Sequence, residues 1–126
     1  RSSDLWVWET DSDGCITYVS ERIVDRLGLH PVQVIGKTFA EFGAFSSKDG
    51  KTLPLPDFKR PFRDVSFEAA GHDGGLRYFA VSGLPRFSDK EENFTGAIGI
   101  AKDVTNLVRV ERANVQLADA IEVLSG

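Results

Sequence analysis

The chain has 126 residues, of which 41% are hydrophobic and 27% charged, and it carries a net charge of −4 with a pI of about 5.1. These values predict one globular domain and argue against a surface for nucleic acid or anionic membranes. The lone cysteine, Cys15, excludes an intrachain disulfide, and no apolar run could span a membrane, so we expect a cytoplasmic domain. Because methionine is absent even at position 1, we expect a piece of a longer protein, which could itself be membrane-tethered.

The first predicted elements form a β-hairpin followed by a helix. Leu5–Thr10 and Cys15–Val19 are rich in strand-forming residues, and Asp11–Gly14 between them has the composition of a turn. Ser20 is predicted to be the N-cap of the helix, and Gly28 is predicted to end it. The buried side of this helix is predicted to consist of Ile23, Val24 and Leu27.

The middle of the chain, Gly36–Arg63, has no sustained strand or helix pattern. Within it, Ser46–Pro56 is polar and marked by glycine and proline, so we expect it to be the most mobile loop. The stretch also holds five of the nine phenylalanines, several of them three or four residues apart, which predicts short helical turns that place aromatic rings on a sheet. These five are Phe39, Phe42, Phe45, Phe58 and Phe62.

The C-terminal half is predicted to add three strands and a long helix. Asp64–Ala70 and Leu76–Leu84 form a second hairpin, Phe94–Asp103 forms a last strand, and Asn106–Leu124 keeps a helical pattern. The order β-β-α-α-α-β-β-β-α groups strands at both ends of the chain with helices between them. This order indicates an α+β domain with an antiparallel sheet.

The last strand has two unlike faces. Ala97, Gly99 and Ala101 fall on one face, while Ile98 and Ile100 fall on the other. Glycine inside a strand often marks close approach by a ligand or another part of the chain. The small face therefore predicts either room for a ligand or a central strand packed tightly under large side chains.

Four blocks of the sequence together resemble a PAS domain: WETDSDGCITYVS, LGLHPVQVIGKTFAEF, RPFRDVSFEAAGHDGGLRYFAVSGLPRFSD and FTGAIGIAKDVT. The resemblance covers Leu5 to Thr105, and the chain looks like the bacterial PAS modules found upstream of histidine kinases and diguanylate cyclases. It implies a five-stranded antiparallel sheet in the order 2-1-5-4-3, with helices crossing one face over a ligand-sized cavity. It also divides the chain into a sensory domain, residues 1–105, and a linker helix, residues 106–126.

The resemblance implies that the small face of the last strand points at the helices and borders an apolar ligand pocket. No titratable side chain is expected on that face, so we predict a non-catalytic domain rather than an enzyme. Ser82 and Thr10 are the expected polar groups. The predicted pocket consists of Trp8, Phe39, Phe42, Phe67, Ala80, Ser82, Ala97, Gly99 and Ala101.

The resemblance leaves the cofactor unknown but argues against two of them. A haem-binding PAS domain would be expected to present a histidine before the third strand, and Phe58–Arg63 contains none. Phe39 stands where a light-sensing flavin domain has its reactive cysteine, which excludes a cysteine–flavin adduct but not non-covalent flavin. His30 and His72 are predicted to be solvated turn residues, and Cys15 a small buried hydrophobe, so no metal site is expected.

The opposite face of the sheet is predicted to be too apolar to remain in water. We expect it to be covered by a partner protomer, or by a helix that precedes this stretch of chain. The residues assigned to this outer face are Leu5, Val7, Phe79, Val81, Ile98 and Ile100.

The C-terminal helix has apolar residues at the spacing of a coiled coil. Leu107, Val110, Asn114, Leu117, Ile121 and Leu124 follow a 3-4-3-4-3 pattern, and a lone Asn in such a seam typically fixes the oligomeric state. The alternative, a helix folded onto its own domain, is favoured by the wider stripe that includes Val108, Ala113, Val115 and Ala118.

These features predict a homodimeric sensor that relays a conformational change to a histidine kinase or diguanylate cyclase domain in cis. Asp103 and Thr105 are the predicted relay residues, with Thr105 as the N-cap of the last helix and Asp103 near its positive end. The alternative is a ligand-free protein-interaction domain. No nucleic-acid partner and no membrane contact by the domain are expected.

Overall fold

The computed structural model describes residues 4–89 and 93–125. Its centre is an antiparallel sheet with the strand order β2-β1-β7-β6-β5-β3-β4. The strands are β1 (Leu5–Thr10), β2 (Ile16–Val19), β3 (Gly43–Ser46), β4 (Thr52–Leu53), β5 (Phe62–Ala70), β6 (Leu76–Phe87) and β7 (Phe94–Asp103). The helices are α1 (Arg22–Leu27), α2 (Pro31–Val34), a 3₁₀ helix over Phe39–Glu41, and α3 (Thr105–Ser125).

The predicted α+β class and the order of the five predicted strands are confirmed, but the number of strands is wrong. The predicted order 2-1-5-4-3 corresponds to β2-β1-β7-β6-β5, and β3 and β4 extend the sheet beyond β5. Both added strands lie in stretches predicted as helical turns or loop. They are four and two residues long, too short for an alternating pattern, and β3 forms because the free edge of β5 pairs with it.

The two ends of α1 differ in how well the sequence predicts them. Gly28 ends the helix as expected, in a left-handed conformation with φ 71°, and its N–H donates to the carbonyl of Val24. Ser20, the predicted N-cap, does not cap the helix. Its hydroxyl accepts a hydrogen bond of 2.9 Å from the N–H of Val7 and so prolongs the contact between the first two strands.

The phase of β6 differs from the sequence prediction by one residue. Val81 lies opposite Ala101 and Gly83 lies opposite Gly99, and directly opposed residues share a face. Phe79 and Val81, predicted on the outer face, are therefore buried in the core, whereas Ala80 and Ser82, predicted in the pocket, lie on the outer face. A shift of one residue moves every side chain of a strand to the other side of the sheet.

The helix α3 begins at Thr105 and leaves the sheet. The N–H of Val108 donates to the carbonyl of Val104, so Thr105 is the first helical residue and not the N-cap that the sequence predicts. From Arg109 to Ser125 every residue of α3 is exposed. Val108 and Val115 line a groove that separates the helix from the sheet.

Candidate functional site

The space predicted above the small residues of β7 is occupied by the indole ring of Trp8. Trp8 pairs with Gly99 across the β1–β7 ladder, and Gly83 faces Gly99 from β6. A Cβ atom on Gly83 would lie 2.8 Å from the Trp8 ring, and one on Gly99 would meet the same ring and the carbonyl oxygen of Ser82. Positions 83 and 99 are therefore glycine because an aromatic side chain of the same domain lies against them.

Phe39 is the centre of an aromatic cluster above this position. Its ring lies 5.2 Å from that of Trp8 and 5.3 Å from that of Phe67, both edge-on, an arrangement that aromatic pairs favour. The 3₁₀ helix that carries Phe39 is held by a hydrogen bond of 2.8 Å from the N–H of Thr38 to the carboxylate of Glu41. Further rings around Phe39 belong to Trp6, Phe42, Phe45 and Phe58.

The structure brings together most of the predicted pocket residues but not all of them. Seven lie on the inner side of the sheet or in the segment above it: Trp8, Phe39, Phe42, Phe67, Ala97, Gly99 and Ala101. Ala80 and Ser82 do not join them, because β6 has the opposite phase. The hydroxyl of Ser82 instead accepts a hydrogen bond of 3.0 Å from the N–H of Asp64, where β5 bulges away from β6.

The unsatisfied polar groups of this cluster are two indole N–H groups that the sequence analysis did not single out. Trp6 and Trp8 are fully buried, and neither Nε1 has an acceptor among the residues that the structure describes. Thr10, a predicted polar group of the pocket, already has a partner, since its hydroxyl accepts a hydrogen bond from the N–H of Ala97. The sequence could have indicated these two N–H groups, because two tryptophans on the same buried face of a strand need hydrogen-bond partners for their indole N–H groups.

Asp103 and Thr105 join the start of α3 to three other elements. The Asp103 carboxylate accepts a hydrogen bond of 2.9 Å from the N–H of Thr105 and lies 3.5 Å from the guanidinium of Arg26 on α1. The Thr105 hydroxyl accepts a hydrogen bond of 2.9 Å from the N–H of Tyr78 on β6. Seven residues further along α3, Arg112 donates to the Tyr78 hydroxyl. These hydrogen bonds and this ion pair thus hold the first turns of α3 against α1, β6 and β7.

Replacing Asp103 by alanine should lower the free energy of unfolding by about 1–3 kcal/mol, because Arg26 and the first amide of α3 lose their shared partner. The Asp103 side chain is only 7% exposed, so solvent compensates poorly. Urea unfolding followed by circular dichroism measures the loss. Asp25→Ala is the matched control, because its ion pair with Arg22 is exposed and 3.8 Å long, and a change of about 0–0.5 kcal/mol is expected. Equal losses for both variants would contradict the anchoring role of Asp103.

The outer face of the sheet exposes apolar side chains around a shallow groove. Val7 and Ile100 are exposed, and Leu84 is more exposed than either of them. Val7, Ile98 and Ile100 line the groove, which has a volume of about 430 Å³. The outer-face residues predicted on β1 and β7 therefore lie on the face where the sequence places them. Leu84 lies with them, because it is opposite Ile98.

The remaining candidate groups lie at the periphery. Partial burial, together with the nearby carboxylates of Asp11 and Asp13, raises the pKa of the Cys15 thiol, which disfavours the reactive thiolate. His30 is exposed at the start of α2, and His72 is exposed in the turn between β5 and β6. In the described ranges 4–89 and 93–125, no group of three His, Cys, Asp or Glu residues is placed to hold a metal ion. No helix within these ranges combines the length and apolarity needed to cross a membrane.

Comparison with known proteins identifies the family. The profile described as "PAS domain" matches residues 4–106, so the chain belongs to the PAS family, whose members are generally non-catalytic sensory or signalling modules. No match was found among curated proteins.

Two solved structures share the fold at low sequence identity. The structure of an RNA-binding light-oxygen-voltage receptor has a TM-score of 0.66 and 16% identity over 92% of this chain, which spans 34% of the receptor chain. The PAS domain of an HTR-like protein from Haloarcula marismortui has a TM-score of 0.57 and 20% identity, covering 79% of this chain and 80% of that one.

Proposed function

We propose that this PAS domain is a homodimeric sensory module that passes a conformational change through α3 to an output domain of the same protein. The observation that carries the proposal is the contrast within α3. Its first turns are bound to α1, β6 and β7, whereas the seam from Leu107 to Leu124 is exposed along its whole length. A helix of about 20 residues is roughly 30 Å long, enough to reach a following domain.

The proposed dimer uses two surfaces. One is the outer sheet face, where Leu5, Val7, Ile98 and Ile100 lie together. The other is the coiled-coil seam, in which Val110, Asn114, Leu117 and Ile121 are the central positions. Fewer than three heptads pair weakly by themselves, so the sheet contact and the seam are proposed to act together. The output domain that receives the change is proposed to be a histidine kinase or diguanylate cyclase domain of the same chain.

Cysteine crosslinking tests the seam. In a Cys15→Ala background, Leu117→Cys should form an intermolecular disulfide efficiently under mild oxidation, because the two copies of a seam position face each other. Val115→Cys is the matched control, since both residues are 60% exposed but Val115 lies on the side that faces its own sheet. Non-reducing gel electrophoresis measures both. Equal crosslinking at the two positions, or none at Leu117, would reject the paired seam.

The alternative function, a ligand-free protein-interaction domain, is favoured by one observation. The Trp8 indole fills the space over Gly99 that a ligand was predicted to occupy. Native mass spectrometry of the purified domain separates the two functions. A bound small molecule would favour the sensor, and its repeated absence would favour the interaction domain. Nucleic acid is not part of either proposal, because the chain has a net charge of −4.

A further inference from the structure

A cleft beside the start of α3 is lined by more basic than acidic side chains. It has a volume of about 350 Å³ and lies where α1, β6 and β7 meet α3. Its basic residues are Arg26 on α1, Arg77 on β6 and Lys102 on β7, and its acidic residues are Asp4 and Asp103. No residue that lines it belongs to the aromatic core, so the cleft is separate from the pocket that the sequence predicts.

The carboxylates do not neutralise this charge. One oxygen of Asp103 accepts the N–H of Thr105, and the other lies 3.5 Å from the Arg26 guanidinium, whose Nε is buried without an acceptor. Within residues 4–89 and 93–125, Arg77 and Lys102 form no ion pair. The positive charge of Arg26 is therefore only partly compensated, and that of the other two is left to solvent.

The two arginines are close neighbours. Both also line an adjoining cavity of about 250 Å³ between α1 and the turn from β5 to β6. Asp25 and Asp73 line that second cavity, but among the described ion pairs neither carboxylate is bound to Arg26 or Arg77. Because both arginines are partly buried, their mutual repulsion is poorly screened, and an anion in contact with both would be stabilised.

The start of α3 adds uncharged donors to the cleft. The N–H of Thr105 is bonded to Asp103, and the N–H of Val108 is bonded to the carbonyl one turn before it. Asn106 and Leu107 line the cleft, and helix geometry leaves their N–H groups without an acceptor inside the helix. The partial positive charge of these groups adds to that of the arginines.

We propose that this cleft binds the phosphoryl group of a small, water-soluble phosphate ester, with Arg26 and Arg77 as its main partners. Donors on α1, β6 and α3 line the cleft from different sides, which suits a tetrahedral group with several free oxygens better than a planar carboxylate. A volume of about 350 Å³ is at the lower end for small-molecule sites, so the organic part of the ester must be small.

The effect of the ligand on signalling rests on the proposed sensory function. A phosphoryl group that contacts α1, β6 and the first amides of α3 would strengthen the attachment of this helix to the domain. Ethyl phosphate should therefore raise the efficiency of crosslinking in the Leu117→Cys protein.

Titration of the unaltered chain with ethyl phosphate at constant ionic strength tests the site. In ¹⁵N spectra the amide signals of Asn106 and Leu107 should move downfield and saturate, because these N–H groups gain an acceptor. Inorganic phosphate should move the same signals, whereas propionate should bind at least about tenfold more weakly. Vesicles that contain phosphatidate should not sediment the protein, because the chain has a net charge of −4.

Replacing Arg77 by glutamine should lower the affinity for ethyl phosphate about tenfold or more, because a charged hydrogen-bond donor is lost. Arg22→Gln is the matched control. It makes the same change on α1 outside the cleft, where the ion pair with Asp25 is exposed, and should leave the affinity unchanged. Asp4→Asn removes a negative charge from the cleft and should raise the affinity about two- to fivefold, which tests the site even if Arg77→Gln does not fold.

Three results would each overturn the proposal: equal binding of propionate and ethyl phosphate, equal affinities for Arg77→Gln and Arg22→Gln, or binding of phosphatidate vesicles without binding of ethyl phosphate. Binding of ethyl phosphate without crosslinking at Leu117 would support the site and reject the dimeric relay alone. Crosslinking without binding would reject this site alone.

Discussion

Replacing Val81 by glutamate should unfold the domain, whereas the same substitution at Ile100 should leave the domain folded and abolish the proposed dimerisation. Val81 is 0% exposed on the inner face of β6, so the carboxylate would be buried without a partner. An uncompensated buried charge costs about 3–5 kcal/mol, a large part of the total stability of a small domain. Ile100 is 40% exposed on the outer face of β7, where a glutamate stays hydrated but opposes a second protomer.

Circular dichroism and light scattering separate the two effects. For Val81→Glu we expect loss of the cooperative thermal transition, or a large fall in its midpoint. For Ile100→Glu we expect an unchanged transition and the mass of a monomer. A folded, soluble Val81→Glu protein would contradict the phase of β6, and a dimeric Ile100→Glu protein would contradict the outer-face interface.

Substituting Gly99 by alanine should lower the free energy of unfolding by about 1–3 kcal/mol, because there is no space even for a methyl group. Substitution by leucine should lower it further. The added Cβ would meet the backbone oxygen of Ser82, which cannot rotate away, and the indole of Trp8, which is enclosed by Phe39 and Phe62. Removing these close contacts would require β7 to move away from β6 in the middle of the sheet.

Gly75→Ala is the control for this substitution. It makes the same chemical change in the exposed turn before β6, where the nearest atom to a new Cβ is a side-chain oxygen of Asp73 at 3.2 Å. A change of about 0.5 kcal/mol or less is expected there, since the exposed Asp73 side chain, which accepts a hydrogen bond from the N–H of Gly75, needs to shift by only a few tenths of an ångström. Urea unfolding of both variants gives the comparison. If Gly99→Ala were as stable as the unaltered chain, Trp8 would not lie against β7 as described.

The sequence by itself determined the features whose physical causes are local. The alternation of β7 placed Ala97, Gly99 and Ala101 on one face, because side-chain direction in a strand depends only on the parity of the position. The end of α1 at Gly28 was predictable for a similar reason, since glycine adopts the left-handed conformation at little cost. The order β2-β1-β7-β6-β5 came from the resemblance of the chain to the PAS family.

The tertiary structure decided the features that depend on a neighbouring strand or ring. The phase of β6 follows from its pairing with β7, in which Val81 lies opposite Ala101 and Gly83 lies opposite Gly99. From Phe79 to Ser82 larger side chains alternate with smaller ones, and the register shows that the larger ones share a face with the small residues of β7. The strands β3 and β4 exist because β5 has a free edge. The small residues of β7 predicted a space, but only packing could show that Trp8 fills it, because the direction in which a large side chain lies across a sheet depends on all the rings around it.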